Sequence, residues 1–193
     1  MRLLEAHGIA MAGFDRVVHE ITEEQWSHPT PCTEWTVQDL LNHLVSEQLW
    51  APWLLRKYTL AEVGDRFDGW LLGDDPVTAW EQAAAVARSA FTAAGALHGK
   101  VHVTGGEIEA ESYGWQMTTD LTVHGWDLAM AIGTDDPVDQ NVARALLAEL
   151  EPQVDDWQGA GIFDPPVPVD EDAPAGTRLV ALLGRNPRHP LGP

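Results

Sequence analysis

The stretch Met117–Gly133, MTTDLTVHGWDLAMAIG, constrains the fold more than any other part of the chain. At about 100° per residue, Asp120, His124, Asp127 and Ala131 fall within an arc of about 60°. Leu121, Leu128 and Ile132 lie on one side of that arc, and Val123, Trp126 and Met130 on the other. The spacing predicts a helix with almost no solvent face, capped by Thr118 or Thr119 and stopped at Gly133. Burying two carboxylates and an imidazole without partners is costly. The chain must satisfy them with each other, with a facing helix, or with a metal ion.

The rest of the chain supplies the facing helices. Residues 2–20 carry Leu3, Leu4, Ala10, Phe14, Val17 and Val18 at helical spacing. QWSHPTPCTEW (25–35) reads as an ordered loop, pinned by a Trp near each end. A second helix starts at Thr36, with Asp39 in its first turn, and runs to about Tyr58. Pro52 is expected to kink or split it. Residues 59–75 read as a loop. Asp75-Pro76 opens a third helix over about 76–96. Residues 100–116 read as a short strand or extended crossover, broken at Gly105-Gly106. A fifth helix is expected from about Pro137 to Val154, and a last short one from Gly176 to Leu183 before the tail RNPRHPLGP. The pattern points to a mainly all-α antiparallel bundle of four principal helices with a long crossover between the third and fourth. Residues 1–154 form the helix-bundle domain; residues 155–193 form an appendage packed on it rather than a second domain.

Bulk properties narrow the function. A net charge of −19, from 30 acidic and 11 basic residues, argues against nucleic acid or an anionic membrane as partner. An anionic substrate would need a local cation, either a metal or an isolated Arg. No run approaches the roughly 18 apolar residues of a membrane span. No signal-peptide pattern is seen at the N-terminus. The single cysteine, Cys32, cannot form an internal disulfide, which suits a cytoplasmic protein.

His43 lies at the margin of the second helix's apolar stripe, with Glu47 one turn on. Asp120 and His124, four residues apart, project from one side of the later helix. If those two helices face each other, His43 meets the Asp120/His124 pair. Two imidazoles and a carboxylate with open positions suit a catalytic divalent metal, zinc first, with nickel or iron accepting the same donors. The alternative is a purely structural Asp–His pair. Asp127 either orients the His124 imidazole or satisfies a bond near Trp126. Glu47 and Asp127 are the candidate general bases. Trp50, Trp53 and Trp126 line a pocket or pack the core. Cys32 is either a nucleophile or, with no His at a telling distance along the sequence, a packed loop thiol, the preferred reading; His7, His19, His28 and His189 read as solvated or locally bonded. Gly125 leaves room for a ligand to approach.

PTPCTEWTVQDLLNHLV (29–45) and DLTVHGWDLAMAIG (120–133) together resemble the mycothiol-dependent maleylpyruvate isomerase N-terminal family, within the DinB/YfiT-like superfamily. RLVALLGRNP (178–187) resembles the C-terminal signature of an actinobacterial metal-binding subgroup. The resemblance implies a four-helix bundle holding a divalent metal on His43, Asp120 and His124. It also implies a low-molecular-weight thiol, mycothiol, as cofactor or co-substrate, activated at the metal to add to a small electrophile in S-transfer or isomerisation. A metal-hydroxide hydrolase or a non-catalytic metal-binding protein on the same fold are the alternatives. Members are often dimers. Two departures stand out. The acidic ligand is often Glu and here is Asp, and the tail is too short for the C-terminal domain of the isomerases.

Overall fold

The computed structural model describes residues 1–152 and 164–191. Among them are seven helices: α1 (Leu3–Val18), α2 (Val37–Leu55), α3 (Leu60–Val63), α4 (Pro76–Thr92), α5 (Ala110–Ile132), α6 (Gln140–Leu150) and α7 (Ala175–Leu182). A two-stranded antiparallel hairpin, β1 (Lys100–Val103) and β2 (Gly106–Glu109), sits between α4 and α5. No helix among the described residues is long and apolar enough to cross a membrane.

The helix starts follow local chemistry. Thr36 caps α2 through a capping box with Asp39. Asp75 caps α4 ahead of Pro76 at its first position. Asp139 caps α6, so that helix begins after Asp139 rather than at Pro137. Pro52 does not split α2, which runs on to Leu55. The proline sits in the last turn, so only the bond to the Gln48 carbonyl is lost.

The largest difference from expectation is α5. It begins at Ala110, not near Met117, so Thr118 and Thr119 are interior residues rather than caps. Their hydroxyls donate to the Gly114 and Trp115 carbonyls at 2.7 and 2.9 Å. The extra two turns are held by packing: a Cβ on Gly114 would stand 2.6 Å from Leu3 Cδ2, so α1 and α5 approach at that glycine. Gly125 serves the same seam. Its missing Cβ would face Pro137 Cγ at 3.4 Å and Phe14 at 3.6 Å. It makes room for α1 and not for a ligand. Residues 100–116, expected as a short strand or extended crossover, are a tight hairpin followed by helix, and the expected loop 59–75 contains α3.

Four long helices form the main core. α1 packs along α5 and also touches α4, while α2 packs along α4 and α5. Phe14, Leu40, Leu44, Trp80, Leu121 and Leu128 are fully buried between them. A second apolar cluster joins Val123 and Trp126 of α5 to Val142 and Leu146 of α6 and to Leu179, Val180 and Leu183 at the C-terminal end. The segment expected as an appendage thus contributes α7 to a buried cluster. The expected boundary at 154/155 and the glycines at 159 and 161 lie outside the described residues.

Candidate metal centre

Helix α5 presents Asp120, His124 and Asp127 in a row, as their spacing requires. Helix α2 brings His43 opposite. His43 Nε2 lies 3.5 Å from Asp120 Oδ2, and His124 Nε2 lies 3.3 Å from Asp120 Oδ1. One donor atom from each of the three residues falls within 4.8 Å of the others. Asp120 Oδ2 is buried and accepts no hydrogen bond among the described residues. Trp35, from the loop before α2, lies against both imidazoles, with ring centroids 4.9 Å from His43 and 5.8 Å from His124.

The spacing tests whether a metal fits. Donors about 2.0–2.2 Å from a tetrahedral ion stand about 3.3–3.6 Å apart. The two His–Asp separations, one to each oxygen of Asp120, fall in that range. Direct charge-assisted hydrogen bonds would be shorter, about 2.7–2.9 Å. The orphaned Oδ2 is a second sign, since buried carboxylate oxygens are ordinarily paired. The residues present therefore suit a divalent ion.

The other nitrogen of His124 is closed off. Its Nδ1 donates to Asp127 Oδ2 at 2.9 Å. Asp127 is fully buried, and Arg185 grips it from beyond α7, Nε to Oδ1 at 3.2 Å and Nη2 to Oδ2 at 2.8 Å. The same Nη2 donates to Cys32 Sγ at 3.2 Å, and Cys32 Sγ lies 3.8 Å from His124 Nδ1 and 3.6 Å from Asp127 Oδ2. Cys32 is held in place because its amide donates to Thr30 Oγ1, whose hydroxyl in turn donates to the Trp35 carbonyl. Three expectations change here. Cys32 is a loop thiol with an imidazole and a guanidinium in reach. The tail segment RNP supplies a buried cation. His7 is not solvated but fully buried, with Arg88 3.1 Å from its Nδ1. Burial and that guanidinium lower its pKa to about 4.

Electrostatics follows the geometry. Burial pushes the Asp120 carboxyl up, but His43 and His124 outweigh it and hold it below the usual range. Burial pushes His124 down, while Asp120, Asp127 and the Cys32 thiol raise it well above 6.5. Burial likewise opposes ionisation of Asp127, yet His124 and Arg185 hold its carboxyl low. Glu47 moves the other way: burial, then repulsion from Asp120, raises it.

A cavity of about 680 Å³ opens on the His43/Asp120 side of the cluster. Its floor is α2 and α5, with His43, Glu47 and Trp50 from one and Tyr113, Met117 and Asp120 from the other. Its roof is Leu60 of α3 and the Val103–Ile108 hairpin. Of the three tryptophans considered from sequence, Trp50 lines it. Trp126 is in the second core cluster, and Trp53 packs on Tyr58, Phe67 and Arg66. Glu47 lines the cavity and Asp127 does not. Sequence reasoning missed the roof, because α3 is a single turn and the hairpin follows a glycine-rich break. It also missed Arg185, although a buried Asp127 in a chain with 11 basic residues left few candidate counterions.

Comparison with known proteins bears on the same segment. Residues 7–129 match the family model described as the mycothiol maleylpyruvate isomerase N-terminal domain. Two proteins of Mycobacterium tuberculosis described as uncharacterized, from strains CDC 1551 / Oshkosh and ATCC 25618 / H37Rv, are each 33% identical over 191 residues. Each match covers 96% of this chain and 98% of the relative. No solved structure matches. The matched segment holds the facing turns of α2 and α5 that bring His43, Asp120 and His124 together, and the chain belongs to the mycothiol maleylpyruvate isomerase N-terminal domain family.

Proposed function

We propose that this protein is a divalent-metal-binding enzyme that uses a low-molecular-weight thiol, mycothiol or a close analogue, against a small electrophile, as an S-transferase or isomerase. The observation that carries the reading is the pair of His–Asp separations, 3.3 Å from His124 to Oδ1 of Asp120 and 3.5 Å from His43 to Oδ2, with Oδ2 buried and accepting no hydrogen bond. His43, Asp120 and His124 would hold the ion, zinc first, with nickel or iron accepting the same donors. Such an ion lowers the pKa of a thiol or water that binds it.

The chain's own residues supply the rest. Asp127 fixes the tautomer and ring orientation of His124, leaving Nε2 toward Asp120. Asp127 therefore acts as an orienting residue, with both oxygens engaged. Glu47 lines the cavity, and burial and repulsion from Asp120 raise its pKa, which makes it the candidate to take and return a proton there. Trp50 and Met117 give the cavity an apolar wall beside the trio. The four long helices read as a DinB/YfiT-like antiparallel four-helix bundle, with the hairpin in the crossover between the third and fourth. A cytoplasmic setting and a homodimer belong to the same reading.

The second reading is a non-catalytic metal-binding protein on this fold; a hydrolase would use the same ligands with water in place of thiol. The cavity beside the trio favours an enzyme. Elemental analysis of purified protein is expected to give about one equivalent of a transition metal. Conjugation of a thiol to 1-chloro-2,4-dinitrobenzene is expected to stop on chelation. Less than about a tenth of an equivalent, with no uptake of added Zn or Ni, removes the metal centre. Stoichiometric metal without turnover, across several thiols and electrophiles, favours the non-catalytic protein.

A further inference from the structure

The segment RLVALLGRNP ends α7 in a Schellman turn. The Gly184 amide donates to the Ala181 carbonyl at 3.2 Å, and the Arg185 amide to the Val180 carbonyl at 2.9 Å. Gly184 takes the left-handed conformation that this turn needs, with φ +83°, and a Cβ there would stand 2.5 Å from Asp164 Cβ. The sequence LLGR thus reverses the chain and sends Arg185 inward, where its side chain is 11% exposed. The guanidinium has little freedom left. Nη1 donates to its own turn, at the Leu183 carbonyl, while Nε and Nη2 take Oδ1 and Oδ2 of Asp127. Nη2 also reaches Cys32 Sγ, in the loop whose Trp35 lies against both imidazoles.

A carboxylate held through one oxygen can turn about its Cβ–Cγ bond, a torsion with broad preferences. The two-point fork of an arginine fixes the plane of the carboxylate as well as its position. Asp127 Oδ2 is the atom that accepts from His124 Nδ1. A fixed plane for Asp127 is therefore a fixed ring for His124. Metal sites tolerate a donor's drift of only about 0.5 Å or 10–20°.

We infer that Arg185 is a positioning residue of the metal centre. Through Asp127 and the Cys32 loop it holds His124 in line for the ion, and so sets affinity and coordination geometry from outside the segment 7–129 shared with the family. The inference rests on the proposed metal centre.

The test measures zinc affinity by chelator competition, and the visible absorption of Co(II)-loaded protein, which reports coordination geometry. Both are run on the full chain. Arg185→Ala is expected to weaken zinc binding about tenfold or more and to change the Co(II) bands. Arg185→Lys keeps the charge without the fork. It is expected to weaken zinc about threefold and to change the bands in the same direction, and it replaces the alanine variant if that one does not fold. Leu55→Ala removes a buried side chain about 18 Å along α2 from His43 and controls for lost stability. Its melting temperature is expected to fall while its zinc affinity and Co(II) bands stay those of the parent. Parental zinc affinity in the folded Arg185 variant overturns the inference, as do unchanged Co(II) bands or an equal loss of affinity in Leu55→Ala. A parent that takes up neither metal removes the metal centre, and this role with it. A zinc-binding parent with unaffected Arg185 variants removes the role alone.

Discussion

The two ring nitrogens of His124 face opposite kinds of surroundings. On the Nδ1 side every neighbour is paired within the chain: Asp127 with His124 and Arg185, and Arg185 also with Cys32 and the Leu183 carbonyl. On the Nε2 side the neighbours are spaced more widely than charge-assisted hydrogen bonds, Asp120 Oδ2 accepts no hydrogen bond, and a cavity opens beside them. A buried Asp–His pair with a purely structural role would be satisfied on both sides. A fully paired outer set next to an unsatisfied inner one is what the proposed ligands and an orienting Asp127 would require.

The sharpest way to break this contrast is to remove the ring that both sides share. His124→Ala is expected to drop bound metal from about one equivalent to under a tenth, while circular dichroism keeps its helical signal. A mutant that retains stoichiometric metal would contradict the ligand assignment. Arg185→Ala attacks only the paired side. It leaves the fully buried Asp127 without its cation, a change that costs about 3–5 kcal/mol. The melting temperature is expected to fall by about 10 °C or more. A Tm within about 2 °C of the parent would show that the pair contributes little.

pH separates the two sides without mutation. Below about pH 6.5 a protonated His124 contributes its full share of stability to the metal-free protein. That share is lost as pH rises through its raised native value. Asp127 works in the opposite sense, its share present above about pH 4 and lost as acid brings it through its lowered value. Metal binding needs the proton off Nε2, so zinc affinity is expected to fall by about tenfold per unit as pH drops below the His124 value. Chelator competition between pH 8 and 6 measures this, and a flat profile would contradict it. The smallest effect is expected from Thr36→Ala, which removes the α2 cap at a cost of about 1 kcal/mol and leaves zinc affinity unchanged. A large affinity change there would mean that the start of α2, and not the side chains alone, sets the site.

Much of the helical frame was legible because it is written locally. Thr36, Asp75 and Gly133 mark two starts and one stop by capping chemistry, and i,i+4 spacing alone puts Asp120 beside His124. The nearness of His43 needed only that two amphipathic helices face each other. The start of α5 was illegible because GEIEAESYGWQ carries glycines and alternation. What holds it helical is contact with Leu3, more than a hundred residues earlier. Arg185 and Cys32 lie 153 positions apart, and no periodicity encodes such a meeting. The only hint was an energetic one, a buried Asp127 in need of a cation.

That ion pair also bears on where this protein can be divided. The segment shared with the family ends at residue 129, and Arg185 lies beyond it. A chain cut to the shared segment would strand Asp127 as a buried anion and strip Val123 and Trp126 of their cover from Leu179 and Leu183. In this protein the segment recognised by similarity is smaller than the set of residues that bury Asp127, Val123 and Trp126, and the last helix and the arginine after it belong to that set.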